Sequence, residues 1–270
     1  MPGAADALGA RLIQAAGFEA AYATGSGIAN ALLGLPDLGL ATMTEIVDQV
    51  RRMVAAIEIP LIADADNGYG NPLNVIRAVR ELERAGVAAI QIEDQVSPKR
   101  CGHVAGKELV TRDEMVRKLG AALEARREAL LIARTDAIAV EGLDAAIERA
   151  GAYAAAGAEL IFVEAPTSRD ELARIAREVE APLVANMTEG GRTPLIERDE
   201  LAALGFKVAL YPDTLLRAGL LAGQIALAHL RAHGSTLAVL DRLLSWDERQ
   251  RLVDLPGYQE LARRFVVGED

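Results

Sequence analysis

The strongest constraint on this chain is a recurring unit, a short apolar run that stops at a polar residue and is followed by a helical stretch. Ile59-Pro60-Leu61-Ile62-Ala63 stops at Asp64 and Asp66, and Val87-Ala88-Ala89-Ile90-Gln91-Ile92 stops at Glu93. The run 129–133 stops at Arg134, Thr135 and Asp136, 160–163 at Glu164, 181–185 at Asn186 and 208–210 at Tyr211. Two weaker runs, 20–23 ahead of Thr24-Gly25-Ser26-Gly27 and 38–41, bring the number to eight. Apolar runs this short suit strands buried on both faces of a parallel sheet.

Helix signals separate the runs. Asn71-Pro72 supplies an N-cap and a proline at the first helical position, and Gly86 closes the amphipathic run 73–85. Thr42 with Glu45, Thr111 with Glu114 and Ser168 with Glu171 have capping-box spacing. The stretches 142–156 and 198–204 supply further helices, stopped by Gly157 and Gly205. Eight strands alternating with helices predict an α/β fold, a (β/α)8 TIM-type barrel. An open doubly wound sheet is the weaker alternative, because no G-x-G-x-x-G follows an early strand. In a barrel, the polar residues at the strand ends meet on one face. Asp64, Asp66, Glu93, Arg134, Glu164, Asn186 and Tyr211 are therefore read together.

Residues 1–270 read as one barrel domain, with 215–270 as its helical C-terminal segment. Hydrophobic residues make up 51% and aromatics only 4%, so aliphatic side chains must fill the core. The formal charge of −10 argues against nucleic acid as a partner, because phosphate binding needs a basic face. One cysteine makes no intrachain disulfide. The N-terminus lacks the basic start and apolar core of a signal peptide. The apolar stretch 215–230 is interrupted by Arg217, Gln224 and His229, so no membrane span is expected and the expected setting is the cytoplasm. A helix apolar on most faces must still be covered, which predicts oligomerisation through this tail.

The candidate chemistry begins with carboxylates. Asp64 and Asp66 lie two apart, so on an extended strand end they point the same way. Read alone, D-A-D-N-G-Y-G is equally a polar turn; with Glu93 at the next strand end, three acids around one point favour a cation, and hard oxygen donors suit Mg²⁺. Asp37, in Gly34-Leu35-Pro36-Asp37, is a weaker fourth acid that also reads as a turn residue. Cys101 sits among Lys99, Arg100, Gly102 and His103, and His103 is either a catalytic partner to the thiol or a donor to a substrate carboxylate. A lone cysteine is usually a small buried hydrophobe, but cationic neighbours lower a thiol pKa and suit it to proton transfer or nucleophilic attack. Arg134 offers a bidentate carboxylate clamp or an ion pair with a neighbouring acid. Glu164 and Asn186 are either catalytic groups or satisfied residues of the barrel rim. Thr24-Gly25-Ser26 provides hydroxyls and backbone N–H groups for a carboxylate, and the loop Gly190-Gly191-Arg192-Thr193-Pro194 is able to close over a ligand.

At Asp64-Ala65-Asp66-Asn67-Gly68-Tyr69-Gly70, Gln91-Ile92-Glu93-Asp94-Gln95 and Pro98-Lys99-Arg100-Cys101-Gly102-His103 the chain resembles the isocitrate lyase / phosphoenolpyruvate mutase superfamily. The K-R-C-G-H form is that of the carbon–carbon lyase branch. The resemblance implies a barrel whose last helix is exchanged between subunits, commonly in a homotetramer built as a dimer of helix-swapped dimers. It implies Mg²⁺, leaving replacement by Mn²⁺ open, held by Asp64, Asp66 and Glu93 with Asp37 at the periphery. Thr24, Gly25, Ser26, Gly102, His103, Arg134, Asn186 and Thr188 would bind a small carboxylate substrate. Tyr22 and Glu164 would support deprotonation of its hydroxyl, Arg134 would stabilise the departing fragment, and Cys101 would act as general acid. The expected reaction is retro-aldol cleavage of a 2-hydroxy di- or tricarboxylate to a 2-keto acid and a carboxylate. Glu164-Ala165-Pro166 and Asn186-Met187-Thr188-Glu189-Gly190-Gly191 look more like the 2,3-dimethylmalate lyase and oxaloacetate hydrolase group than the 2-methylisocitrate lyases. Hydrolysis of oxaloacetate to oxalate and acetate is the alternative, and a catalytically idle metal-binding protein is the remaining one.

Overall fold

The computed structural model describes residues 1–100, 102 and 106–266. Eight parallel strands run in sequence order: β1 Gly3–Ala4, β2 Ala21–Ala23, β3 Leu61–Asp64, β4 Ala89–Glu93, β5 Leu130–Thr135, β6 Leu160–Val163, β7 Leu183–Asn186 and β8 Val208–Leu210. The sheet curls so that its last and first strands meet. Gly3 N–H donates to the Tyr211 carbonyl at 2.8 Å and Tyr211 N–H to the Met1 carbonyl at 2.9 Å. This is the expected (β/α)8 barrel.

Two expectations about strands need correction. The run 38–41 is not a strand, and Leu38 and Leu40 are exposed. The missing member is β1, two residues at the N-terminus with no apolar run to announce them. Tyr211 belongs to the barrel seam and does not line the cavity at the strand ends.

Helix boundaries follow the capping chemistry. Pro72–Ala85 starts at Asn71, whose side chain accepts from Leu73 and Asn74 N–H, and ends at Gly86 in the left-handed conformation. Thr42 forms a complete capping box with Glu45. Thr111 and Ser168 cap through their hydroxyls, but Glu171 accepts from Thr167 N–H in place of the expected partner. Thr24-Gly25-Ser26 opens a short helix, Gly25–Ile28, that continues into a wider turn at Ala29–Leu33, which no sequence signal marked. The tail is helical at Thr214–His233, Leu237–Arg242, Trp246–Leu252 and Leu255–Phe265. In the last of these, Pro256 occupies the first turn and does not end the preceding element as a breaker would. No described helix is long and apolar enough to cross a membrane.

Strand pleat explains how the barrel delivers its polar ends. Inside the barrel Tyr22, Ile62, Ala89, Ile132, Phe162, Val184 and Leu210 pack into one apolar cluster. Alternate residues of a strand face the same side, so the position two further along also points inward. That position is Asp64 after Ile62, Arg134 after Ile132, Glu164 after Phe162 and Asn186 after Val184. On β4 the inward series is Ala89, Gln91 and Glu93. The intervening residues, such as Leu61, Ala63, Ile90, Leu131 and Ile161, face the surrounding helices in the larger core.

Candidate active site

The inward strand ends surround a narrow cavity of about 40 Å³, lined by Tyr22, Asp64, Glu93, Arg134, Glu164 and Asn186 among others. A roomier groove at the opposite end of the barrel, between Arg80 and Ala129, contains no candidate residue. Its acid Glu83 is occupied by the backbone N–H groups of Arg127, Glu128 and Ala129.

One side of the cavity is acidic. Asp64 accepts from the N–H groups of Gly25 at 3.3 Å and Asp66 at 3.0 Å, and from Gln91 Nε2 at 3.3 Å. The Tyr22 hydroxyl donates to Gln91 Oε1 at 2.9 Å, which fixes that amide with its nitrogen toward Asp64. Burial, reinforced by the charge of Asp64, pushes the Tyr22 phenol well above its usual range. In this arrangement the Tyr22 hydroxyl is a hydrogen-bond donor. A Cβ on Gly25 would stand 2.8 Å from Asp64 Oδ2, so only glycine lets this backbone approach the carboxylate. Asp66 sits at φ +48°, a left-handed conformation that turns its carboxylate back toward Asp64 and Asp37.

Lys99 lies within this acid group. Its ammonium is 2.5 Å from Asp37 Oδ1 and 2.8 Å from Asp66 Oδ1. Lys99, expected among the cationic neighbours of Cys101, neutralises two of the acids. Burial, opposed by Lys99 and reinforced by Asp64 and Asp37, lifts the Asp66 carboxyl to about 6. Burial also lifts Glu93 well above the carboxylate range, against the pull of Arg134. Glu93 Oε1 is buried without a hydrogen-bond partner. Acids in this condition call for more positive charge than Lys99 provides. Among the described residues no three acid, histidine or cysteine side chains already form a metal cage. The donor chemistry nevertheless fits a hard cation that keeps part of its water shell.

The other side centres on Arg134. Asp136 accepts from Arg134 Nε and Nη2, both at 3.0 Å, in a bidentate pair. Glu93 Oε2 lies 3.4 Å from Nε, Glu164 Oε2 lies 3.6 Å from Nη2, and the guanidinium sits 5.1 Å over the Phe162 ring. Burial works against its charge, but Asp136, Glu164 and Glu93 outweigh it and hold the guanidinium pKa above its usual value. Asp136 is pulled down to about 2, because Arg134 and Lys107 overcome its burial. Asn186 Nδ2 donates to both oxygens of Glu164, at 3.4 and 3.2 Å, and Thr188 Oγ1 donates to Asn186 Oδ1 at 2.9 Å. Ser26 Oγ lies 3.0 Å from Thr24 Oγ1 and donates to Asp213 at 3.2 Å. The backbone of Gly102 lies flush against this group, since a Cβ there would stand 2.3 Å from Arg134 Nη2.

Tyr22, Thr24, Ser26, Asp37, Asp64, Glu93, Gly102, Arg134, Glu164, Asn186 and Thr188 thus line one cavity, with Asp66 and Gly25 against its acidic wall. Cys101 and His103 lie outside the described residues. The loop at Gly190 to Pro194 does not line the cavity, and the preceding Glu189 is tied to Thr214 and Arg217. Sequence reasoning missed Asp213, Lys107 and the role of Asp94. The Asp94 carboxylate is fully buried behind the site and accepts from Thr135 Oγ1 at 2.7 Å, Asp136 N–H at 3.0 Å and the Tyr153 hydroxyl at 2.8 Å. A signal for it existed. Strand pleat turns Asp94 away from the barrel interior, so it needs partners, and Arg149 and Tyr153 lie four apart on the facing helix.

Comparison with known proteins places this geometry. The chain is 46% identical over 263 residues to a 2-methylisocitrate lyase from Aeropyrum pernix, a match covering 97% of this chain and 84% of the relative. It is 44% identical to a 2,3-dimethylmalate lyase from Eubacterium barkeri, covering 99% of this chain and 93% of that one. Among solved structures, an oxaloacetate acetylhydrolase bound to 3,3-difluorooxalacetate superposes with a TM-score of 0.93 at 34% identity, covering 97% and 90% of the two chains. A phosphonopyruvate hydrolase solved with oxalate and Mg²⁺ superposes with a TM-score of 0.88 at 30% identity, covering 98% and 93%. The phosphoenolpyruvate phosphomutase family matches residues 1–231. With this family match over most of its length, the chain belongs to the phosphoenolpyruvate phosphomutase family of the PEP mutase/isocitrate lyase superfamily.

Proposed function

We propose that this chain is a carbon–carbon lyase that cleaves a 2-hydroxy di- or tricarboxylate of the 2,3-dimethylmalate or 2-methylisocitrate type. The observation that carries the reading is the meeting, in one cavity, of Arg134 held by Asp136, the Glu164–Asn186 pair and the acids around Asp64. Asp64, Asp66 and Glu93 would hold Mg²⁺, with Asp37 beside them; when bound, the ion supplies positive charge next to the oxygens of the substrate. Arg134 and Asn186 hold substrate carboxylate oxygens, with Thr24, Ser26 and Thr188 around them. Glu164 takes the hydroxyl proton. The C2–C3 bond then breaks as the C2–O bond becomes a carbonyl, and the electron pair passes to C3 and its carboxylate, where Arg134 offsets the charge. Cys101 delivers a proton to C3, and the products are a 2-keto acid such as pyruvate and a carboxylate. Hydrolysis of oxaloacetate on the same residues is the second reading, favoured by the acetylhydrolase likeness at 34% identity. Two lyases at 46% and 44% weigh more.

Removing the metal tests the acid assignment. Exhaustive chelation should abolish turnover and Mg²⁺ should restore it, with Mn²⁺ tried beside it. Mg²⁺ should also raise the melting temperature by relieving repulsion among the acids. Activity that survives chelation, with a melting temperature indifferent to Mg²⁺, would sink the assignment.

The C-terminal helices point to assembly. Thr214–His233 contains no buried residue, and Leu220, Leu221 and Leu227 on it are 58%, 59% and 66% exposed. Trp246, Tyr258 and Phe265 beyond it are exposed as well. Exposed apolar side chains gathered on these helices mark an interface, and a second copy exchanging the same helices would cover them. Sedimentation at micromolar concentration should give a homotetramer, and a monomer there would contradict the proposal.

A further inference from the structure

Asp213 lines the cavity, and the chemistry above does not use it. It stands just ahead of the helix Thr214–His233, where an aspartate commonly accepts from the first N–H groups of the helix. It makes no such cap bond. Its Oδ1 accepts instead from Ser26 Oγ at 3.2 Å. The backbone beneath it is fixed. Tyr211 N–H donates to the Met1 carbonyl at 2.9 Å, and a Cβ on Gly3 would stand 2.1 Å from the Pro212 carbonyl oxygen. Arg217, one turn into the helix, lies 3.7 Å from Glu189 Oε2.

The Asp213 contact orders the hydroxyls beside it. Ser26 spends its proton on Asp213, so the 3.0 Å contact between Ser26 Oγ and Thr24 Oγ1 takes its proton from Thr24. Both hydroxyl protons of this wall run toward Asp213, and an extra carboxylate meets lone pairs and a like charge there. Charge balance points the same way. Among the described lining residues Asp213 is a fifth acid, and the cations are three, Lys99, Arg100 and Arg134. Lys99 is paired with Asp37 and Asp66, and Arg134 is shared among Asp136, Glu93 and Glu164. With Arg100 counted in full, five acids against three cations leave an excess that one divalent cation offsets. Every substrate carboxylate then adds repulsion, which a low-dielectric site screens poorly. Phe162 and Leu210, both buried, offer the same cavity apolar surface.

We propose that Asp213 is a specificity-determining residue whose charge bars a third carboxylate, so that the substrate is a 2-hydroxy dicarboxylate with apolar substituents, of the 2,3-dimethylmalate type. Repulsion of the wrong ligand is a recognised source of selectivity. The idea rests on the lyase reading for its kinetic form, while binding of the same acids tests it without turnover.

The test compares wild type, Asp213→Asn and Asp213→Glu on 2,3-dimethylmalate and 2-methylisocitrate at equal free Mg²⁺. Where an acid is cleaved, kcat/KM is measured; where it is bound intact, calorimetry gives Kd. Wild type should favour the dicarboxylate by about 10²-fold, the scale of one like-charge contact in a desolvated site. Asp213→Asn, nearly isosteric but uncharged, should cut that preference by about tenfold, chiefly by improving the tricarboxylate. Asp213→Glu keeps the charge and should keep the preference. Asp213→Ser replaces the asparagine variant if that one fails to fold. General damage to the fold would lower both acids together and leave their ratio unmoved. A wild type that takes the tricarboxylate as well as the dicarboxylate, or a wild-type ratio in the uncharged variant, would overturn the proposal. If both acids bind and neither is cleaved, the lyase reading alone fails, and the ratio of Kd values still decides the role of Asp213. Binding of neither acid would overturn both.

Discussion

Replacing Arg134 by Lys should lower kcat/KM by about 10²- to 10³-fold while the protein stays folded, the loss expected when one preorganised charge at the reacting centre is misplaced. Lysine keeps the positive charge but cannot reproduce the fork that meets Asp136 at 3.0 Å through two nitrogens. A single ammonium would sit on Asp136 and withdraw from the cavity, leaving the departing carboxylate without its partner. Replacing Arg134 by Met is a different experiment. It strands Glu93 and Glu164, both buried, without their shared counter-charge and leaves buried Asp136 with Lys107 alone. A loss of about 3 to 5 kcal/mol in unfolding free energy is expected, the usual cost of breaking a buried pair from one side. Steady-state kinetics on Arg134→Lys and denaturant melts on Arg134→Met check the two halves. Wild-type turnover in Arg134→Lys would remove Arg134 from the chemistry.

Cys101→Ser should reduce kcat by about 10²- to 10⁴-fold, the range that a positioned general acid contributes. A serine hydroxyl is nearly isosteric with the thiol but a far weaker acid, so the melting temperature should change little. A large loss of rate without loss of stability separates a proton donor from a buried apolar cysteine, for which the order of effects would be reversed. The prediction rests on the Lys99-Arg100-Cys101-Gly102-His103 motif. Unchanged turnover would remove Cys101 from the mechanism.

Most of the barrel was legible because strands buried on both faces are nearly continuous apolar runs, and the polar residue that ends each run is where the strand emerges. That rule alone brought Asp64, Glu93, Arg134, Glu164 and Asn186 to one face. It failed for β1, whose two residues, Gly3 and Ala4, are held by the barrel seam and not by any local preference. It also failed for 38–41, where an apolar run forms a loop. The finer site was less legible for a different reason. Lys99 pairs with Asp37 and Asp66, and Lys107 with Asp136, across separations that no local pattern encodes. Gly25 and Gly102 read as substrate-binding positions, but only the packed structure shows that each admits a carboxylate or guanidinium at contact distance.

The central claim is most directly tested by NMR analysis of the products when the protein with Mg²⁺ is offered 2,3-dimethylmalate, 2-methylisocitrate and oxaloacetate in separate tubes. The account predicts pyruvate from at least one of the two hydroxy acids, together with propionate from the first or succinate from the second. Oxalate and acetate from oxaloacetate, with both hydroxy acids left intact, would contradict it and move the site to hydrolysis.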